Sequence, residues 1–114
     1  MTLHGTVRDN SGVSIVDFSG RITLGEGSAT LRNTVKELVA AGKQKILLNL
    51  ADVDYIDSAG IGEMVSAYTM VRGASGELKL INLTKRVHDL MQITRLLTVF
   101  DVSNDEAAAV RSFR

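Results

Sequence analysis

The order of segments along the chain predicts an α/β fold. It is a single domain on a mixed β-sheet, with an N-terminal hairpin followed by alternating helices and strands. Three observations carry this. Two β-prone segments near the N-terminus are joined by a run of turn formers, Asp9-Asn10-Ser11-Gly12. Two later segments, KILLNL (45–50) and LKLINL (78–83), are nearly continuous apolar runs, as strands buried on both faces require. Around them, apolar residues recur at helical spacing.

Each element has its own local reason. Val13 to Ser19 alternates and is β-branched, which predicts a strand, and Leu3 to Arg8 is a weaker one. The turn formers between them predict a hairpin. Gly25-Glu26-Gly27-Ser28 ends the extended region, with Ser28 as the expected cap of the helix that follows. Leu31, Val35, Leu38 and Val39 give that helix one apolar face, and Gly42 ends it. After the KILLNL strand, Ala51 to Asp57 reads as a polar loop. A second helix runs from about Ser58 to Arg72, with Ile61, Met64, Val65, Tyr68 and Val71 on its apolar face. Gly73 to Gly76 breaks it. The LKLINL strand follows, then a helix over Thr84 to Leu97 carrying Val87, Leu90, Met91 and Thr94 on one side. Val99 to Val102 is a short strand, and Asn104 is the expected cap of a last helix that runs to the C-terminus. A hairpin supplies the antiparallel pair, and helical crossovers supply the parallel ones. In such sheets, functional loops follow the C-terminal ends of strands, and the segment from Ala51 to Gly62 is one of these.

Composition narrows the function. The 114 residues fit one domain, 1–114, with a core of its own. Thirteen basic and 13 acidic residues cancel, so no long-range field draws in nucleic acid. There is no Lys/Arg-rich run and no pattern of basic and aromatic residues suited to stacking bases. The chain lacks Cys, which excludes disulfides and Cys-ligated metal. No apolar run approaches the roughly 20 residues of a membrane helix, and Met1 to Asn10 has no signal-peptide core. The expectation is a soluble, cytoplasmic protein without direct membrane insertion.

Motifs for catalysis are weak. The two histidines, His4 and His88, are far apart in sequence. A Ser58-His88-Asp89 triad lacks the G-x-S-x-G elbow, because Ile56 stands where the first Gly belongs. Gly25-Glu26-Gly27-Ser28 has no Lys before its Ser and is not a phosphate loop. Asp52, Asp54 and Asp57 sit close together, but Ile56 breaks the calcium-loop series and no Glu closes it. These readings predict no enzyme, no cofactor and no metal.

The segment Val53 to Met64 stands apart. A buried strand leads into a polar turn, and Asp57-Ser58 opens a helix with two early glycines, Gly60 and Gly62. As a structural feature, Ser58 is a good helix N-cap. Two glycines so early cost a helix up to about 1 kcal/mol each, so they call for another reason. Without side chains they leave the helix start bare for another backbone to approach. A bare start with an accessible hydroxyl suits a kinase substrate or a docking surface.

YIDSAGIG (55–62), preceded by KILLNL and an Asp-containing turn, resembles the signature of STAS domains of the bacterial anti-sigma factor antagonist type. The likeness extends over essentially the whole chain, through Gly20-Arg21-Ile22-Thr23, LKLINL and the late VFDV segment. It implies that Ser58 is a phosphoacceptor and that the protein works by partner switching. Unphosphorylated, it binds a serine-kinase anti-sigma factor and frees the sigma factor. The kinase spends its own ATP on Ser58, the complex separates, and a serine/threonine phosphatase resets the switch. The implied docking residues are Arg21, Thr23, Asp57, Ser58, Ala59, Gly60, Ile61, Gly62 and Met64. Many members of the family read G-E-[LI]-D where this chain has Gly20-Arg21-Ile22-Thr23, so the kinase it recognises differs before the fold does. The alternative is a non-switching STAS subunit of a signalling scaffold or transport complex, in which Ser58 is only a cap.

Overall fold

The computed structural model describes residues 2–113; Met1 and Arg114, the ends of the expected domain, lie outside the described residues. The element order is β1 (Leu3–Asn10), β2 (Val13–Ile22), α1 (Glu26–Ala40), β3 (Lys45–Ile56), α2 (Ser58–Gly73), β4 (Glu77–Ile81), α3 (Lys85–Ile93), a 3-10 turn (Leu96–Thr98), β5 (Val102–Ser103) and α4 (Glu106–Ser112). The strands form one sheet in the order β1-β2-β3-β4-β5. β1 is antiparallel to β2 and all other neighbours are parallel. The mixed sheet with an N-terminal hairpin and alternating helices is therefore as expected. Ser11 and Gly12, both at positive φ, close the hairpin between Asn10 and Val13.

Alternation along the strands divides the interior in two. Val16, Phe18, Ile46, Leu48, Leu50 and Leu80 face α1, α2 and α3 in the main core. Val13, Ile15, Leu47 and Ile81 face the other way and pack beneath Ala109 and Phe113 at the α4 end. Ile46, Leu47, Leu48 and Leu50 run nearly without a break because both faces of the strand are covered. Buried Lys79 is tied to α4, its Nζ donating to the Ser112 carbonyl at 3.1 Å and hydroxyl at 2.8 Å. Arg8 binds Asp17 and Glu106, joining the hairpin to the start of α4.

Several boundaries differ from expectation. The expected polar loop 51–57 is mostly strand, since β3 continues to Ile56 and only Asp57 lies outside. Gly20, Arg21 and Ile22 of β2 pair with Val53, Tyr55 and Ile56 there, and Val53 and Ile56 are buried. The backbone ladder holds this stretch, so its polar outward side chains do not break it. Ser28 is not a cap: α1 starts two residues earlier after Gly25, and the Ser28 hydroxyl donates to the Thr23 carbonyl at 2.8 Å. The third helix is shorter than Thr84–Leu97. Thr84 caps it, and it gives way to a 3-10 turn where Arg95 adopts positive φ. β5 is displaced from the expected Val99–Val102, because Phe100 turns into the core, edge-on to Tyr68. Asp105, not Asn104, caps α4, accepting from the amides of Ala107 and Ala108.

Candidate functional site

The C-terminal ends of β2 and β3 and the start of α2 come together around Asp57. This residue is the N-cap of α2, which corrects the expectation that Ser58 caps it. Its two carboxylate oxygens have separate tasks. Oδ1 accepts the Gly60 amide at 2.8 Å, and Oδ2 accepts the Leu24 amide at 3.0 Å. The Asp57 amide in turn donates to the Ile22 carbonyl at 3.3 Å. Asp57 thus fastens the β2–α1 loop to the first turn of α2. The Gly60 amide, and after it the Leu24 amide, hold its carboxyl below the usual carboxylate range.

Ser58 is the first residue of α2, exposed, and its hydroxyl makes no hydrogen bond among the described residues. With Asp57 already capping the helix, that hydroxyl has no structural task. Ala59 is half-buried beside it and Gly62 is exposed.

The two glycines have opposite surroundings. A Cβ on Gly60 would collide with the Ile22 carbonyl oxygen of the chain itself and lie 2.8 Å from the Ile56 side chain. The close backbone approach inferred from sequence is therefore internal at Gly60. A Cβ on Gly62 would meet nothing within 4 Å. Gly27, in the first turn of α1, repeats the Gly60 arrangement, with a Cβ there 2.6 Å from the Arg21 carbonyl oxygen. Two helices begin on adjacent carbonyls of one strand end.

Ile61 and Met64, expected at the docking surface, face inward at 8% and 1% exposure. They lie on the apolar face that holds α2 to the sheet, so burial in the core removes them from the surface. Gly60 is buried as well. Of the expected docking set, Arg21, Thr23, Asp57, Ser58, Ala59 and Gly62 present themselves at one end of the sheet. Arg21 lies over the Tyr55 ring, 5.7 Å from its centroid, with its Nε 3.8 Å from Asp54.

Sequence reasoning missed Leu24. Its side chain is 79% exposed while its amide is fixed by Asp57. The signal was a lone Leu set between Thr23 and Gly25, outside the four residues assigned to the apolar face of the helix. It missed Arg86 too, whose guanidinium lies 5.6 Å from the Tyr55 centroid.

His88 lies beside Asp89, with Nδ1 at 3.5 Å, and makes no hydrogen bond to Ser58. Among the described residues no group of three or more His, Cys, Asp or Glu is placed to hold a metal ion. No described helix is long and apolar enough to cross a membrane.

Comparison with known proteins agrees with this architecture. The STAS domain family model matches residues 6–109. The anti-sigma-B factor antagonist of Bacillus subtilis is 32% identical over 111 residues, covering 97% of this chain and 100% of that protein. The crystal structure of an anti-sigma factor antagonist from Mycobacterium paratuberculosis superposes with a TM-score of 0.85 at 20% identity, covering 98% of this chain and 94% of that one. The Bacillus cell fate determinant SpoIIAA in its phosphorylated form has a TM-score of 0.72 at 14% identity, with 95% and 97% covered. A five-stranded mixed sheet, an Asp-capped helix opening on Ser58, and a full-length relative at this identity lead to one assignment: the chain belongs to the anti-sigma factor antagonist family of STAS domain proteins.

Proposed function

We propose that this protein is an anti-sigma factor antagonist that acts by partner switching in the cytoplasm, with Ser58 as the phosphoacceptor. It does so as a binding protein with no catalysis or cofactor of its own. The unphosphorylated form binds a serine-kinase anti-sigma factor, and the kinase uses its own ATP to modify Ser58 and release it. A serine/threonine phosphatase restores the binding form. One observation carries this reading: the Ser58 hydroxyl is exposed and unbonded, while its neighbour Asp57 does the capping.

The division of labour suits a switch. A phosphate adds about −1.5 to −2 charges and three acceptor oxygens. At the first position of a helix it lies at the positive end of the dipole, so the fold tolerates it. At an interface the same group must be desolvated beside the charged Asp57. A penalty of about 4 kcal/mol there weakens binding roughly 1000-fold.

The test is a pair of variants titrated against the cognate kinase. Ser58→Ala leaves the Asp57 cap in place, so it should bind the kinase normally and gain no mass under ATP. Ser58→Asp should bind at least tenfold more weakly, at about 1.4 kcal/mol per factor of ten. Equal affinities for the two, with no mass gain by the wild type, would leave the non-switching adaptor as the function.

A further inference from the structure

A second feature shares this end of the sheet. Arg21 of β2 and Arg86 of α3 come from distant parts of the chain, yet both guanidiniums lie over Tyr55, at 5.7 and 5.6 Å from its centroid. Two like charges beside one ring repel unless something balances them. The surrounding carboxylates do so poorly. Asp54 lies 3.8 Å from Arg21 Nε, beyond direct hydrogen-bond length, and both side chains are about half or more exposed. Asp57 is committed to two amides, and Asp89 to Lys85 at 2.7 Å. Arg86 makes no ion pair among the described residues. Its planar fork is left with unused donors, held in place by an aromatic face.

The apolar surroundings indicate what kind of ligand fits. Ile93, on the same face of α3 two turns beyond Arg86, is 78% exposed. With Leu90 and the Lys85-paired Asp89 it edges a shallow groove of about 500 Å³ that begins at Lys85 and Arg86. Arg and Tyr beside an exposed aliphatic side chain have the composition of a protein interface, where such residues are the anchors. A free anion would make no use of the aliphatic flanks. A nucleic acid would need a longer basic track than two arginines on a chain of zero net charge.

We propose that the Arg21–Tyr55–Arg86 stack is the charge-reading half of the docking surface and receives an acidic segment of the partner protein, with an apolar residue of that segment lying against Ile93. This rests on the partner-binding reading above and adds the chemistry of the partner.

The experiment is an NMR titration of the ¹⁵N-labelled chain with a synthetic peptide, acetyl-Glu-Glu-Leu-Glu-Glu-Leu-Glu-amide, beside its all-Gln counterpart. The Glu peptide should shift the Nε–H signals of Arg21 and Arg86 and the amides of Tyr55 and Ile93, and added salt should reverse the shifts. The doubly substituted Arg21→Gln/Arg86→Gln chain should bind about tenfold more weakly. Tyr55→Phe, which keeps the ring, should bind as the wild type does, and Tyr55→Leu should not. Equal response to the Glu and Gln peptides, or shifts that avoid Arg21 and Arg86, would overturn the proposal. The two readings fail separately. Phosphorylation of Ser58 with no response at the stack removes this inference and leaves partner switching. A response at the stack with no phosphorylation by the kinase supports the acidic-partner surface and removes the switch.

Discussion

Gly60 and Gly62 look alike in sequence and behave differently in the fold. Gly60→Ala forces a methyl group into the Ile22 carbonyl oxygen, and backbone cannot swing aside as a side chain would. It should destabilise the protein by roughly 1–3 kcal/mol, the usual range for overpacking. Gly62→Ala adds a methyl in open space and improves helix propensity, which should raise stability by up to about 1 kcal/mol. Thermal denaturation of both variants reads the difference, and equal melting temperatures would contradict the geometry. Gly62→Leu should fold normally and impair partner binding. The sequence made it legible that these glycines serve more than the helix. It could not tell an internal approach from an external one, because that depends on where the end of β2 passes. The cap was misread for a related reason. Asp and Ser are nearly equal as N-caps, and what selects Asp57 is a second hydrogen bond to Leu24, 33 residues away in the chain.

At the scale of elements, α4 is the shortest α-helix among the described residues and depends on its side chains for attachment. It has seven residues, too few to be stable alone. Phe113 and Ala109 bury it on the sheet, while Arg8–Glu106 and Lys79–Ser112 fix its two ends. Arg8, and to a smaller extent Asn10, hold the Glu106 carboxyl below its ordinary value, and Arg8 with Asn49 does the same for Asp17. A carboxyl depressed in the folded state contributes stability above its unfolded pKa, and that contribution is lost as pH falls through the folded pKa. Arg8 stays charged throughout. The attachment of α4 should therefore loosen below about pH 4, the usual carboxylate range, before the main core opens. Hydrogen exchange measured across this range should show the α4 amides losing protection first, and Glu106→Gln should bring that loss to neutral pH. Simultaneous loss of protection across the whole chain would argue against it. Helices α1 and α2 were legible from their apolar periodicity. The ends of β3, α3 and β5 were not, since backbone pairing and one positive φ at Arg95 set them, and neither leaves a pattern in hydrophobicity.

For the molecule as a whole, the architecture predicts that modification at Ser58 changes the surface without changing the fold. A charge at the start of α2 is favoured by about 0.3–1 kcal/mol through the helix dipole, and repulsion from Asp57 offsets part of this. The net effect should stay within about 1 kcal/mol, a shift of no more than about 4–8 °C in a domain of this size. Calorimetry of Ser58→Asp against the wild type checks this, with circular dichroism unchanged; a molten spectrum would contradict the placement of Ser58. The antiparallel hairpin and the parallel helical crossovers were legible from the turn formers and the two apolar runs, whereas the strand order is known only from the structure. The proposed docking surface was only half legible, because Tyr55 and Arg86 meet only once the strands are paired and α3 is docked. The seating of α1 and α2 on the Arg21 and Ile22 carbonyls has a consequence for how such proteins diversify. Gly27 and Gly60 rest on main-chain atoms, which every amino acid supplies. The side chains at 21, 23 and 24 can therefore change from one duplicated gene to the next without tilting the platform that carries the serine. On the partner-binding reading proposed above, a few loop residues on a common frame are enough to set which partner is met.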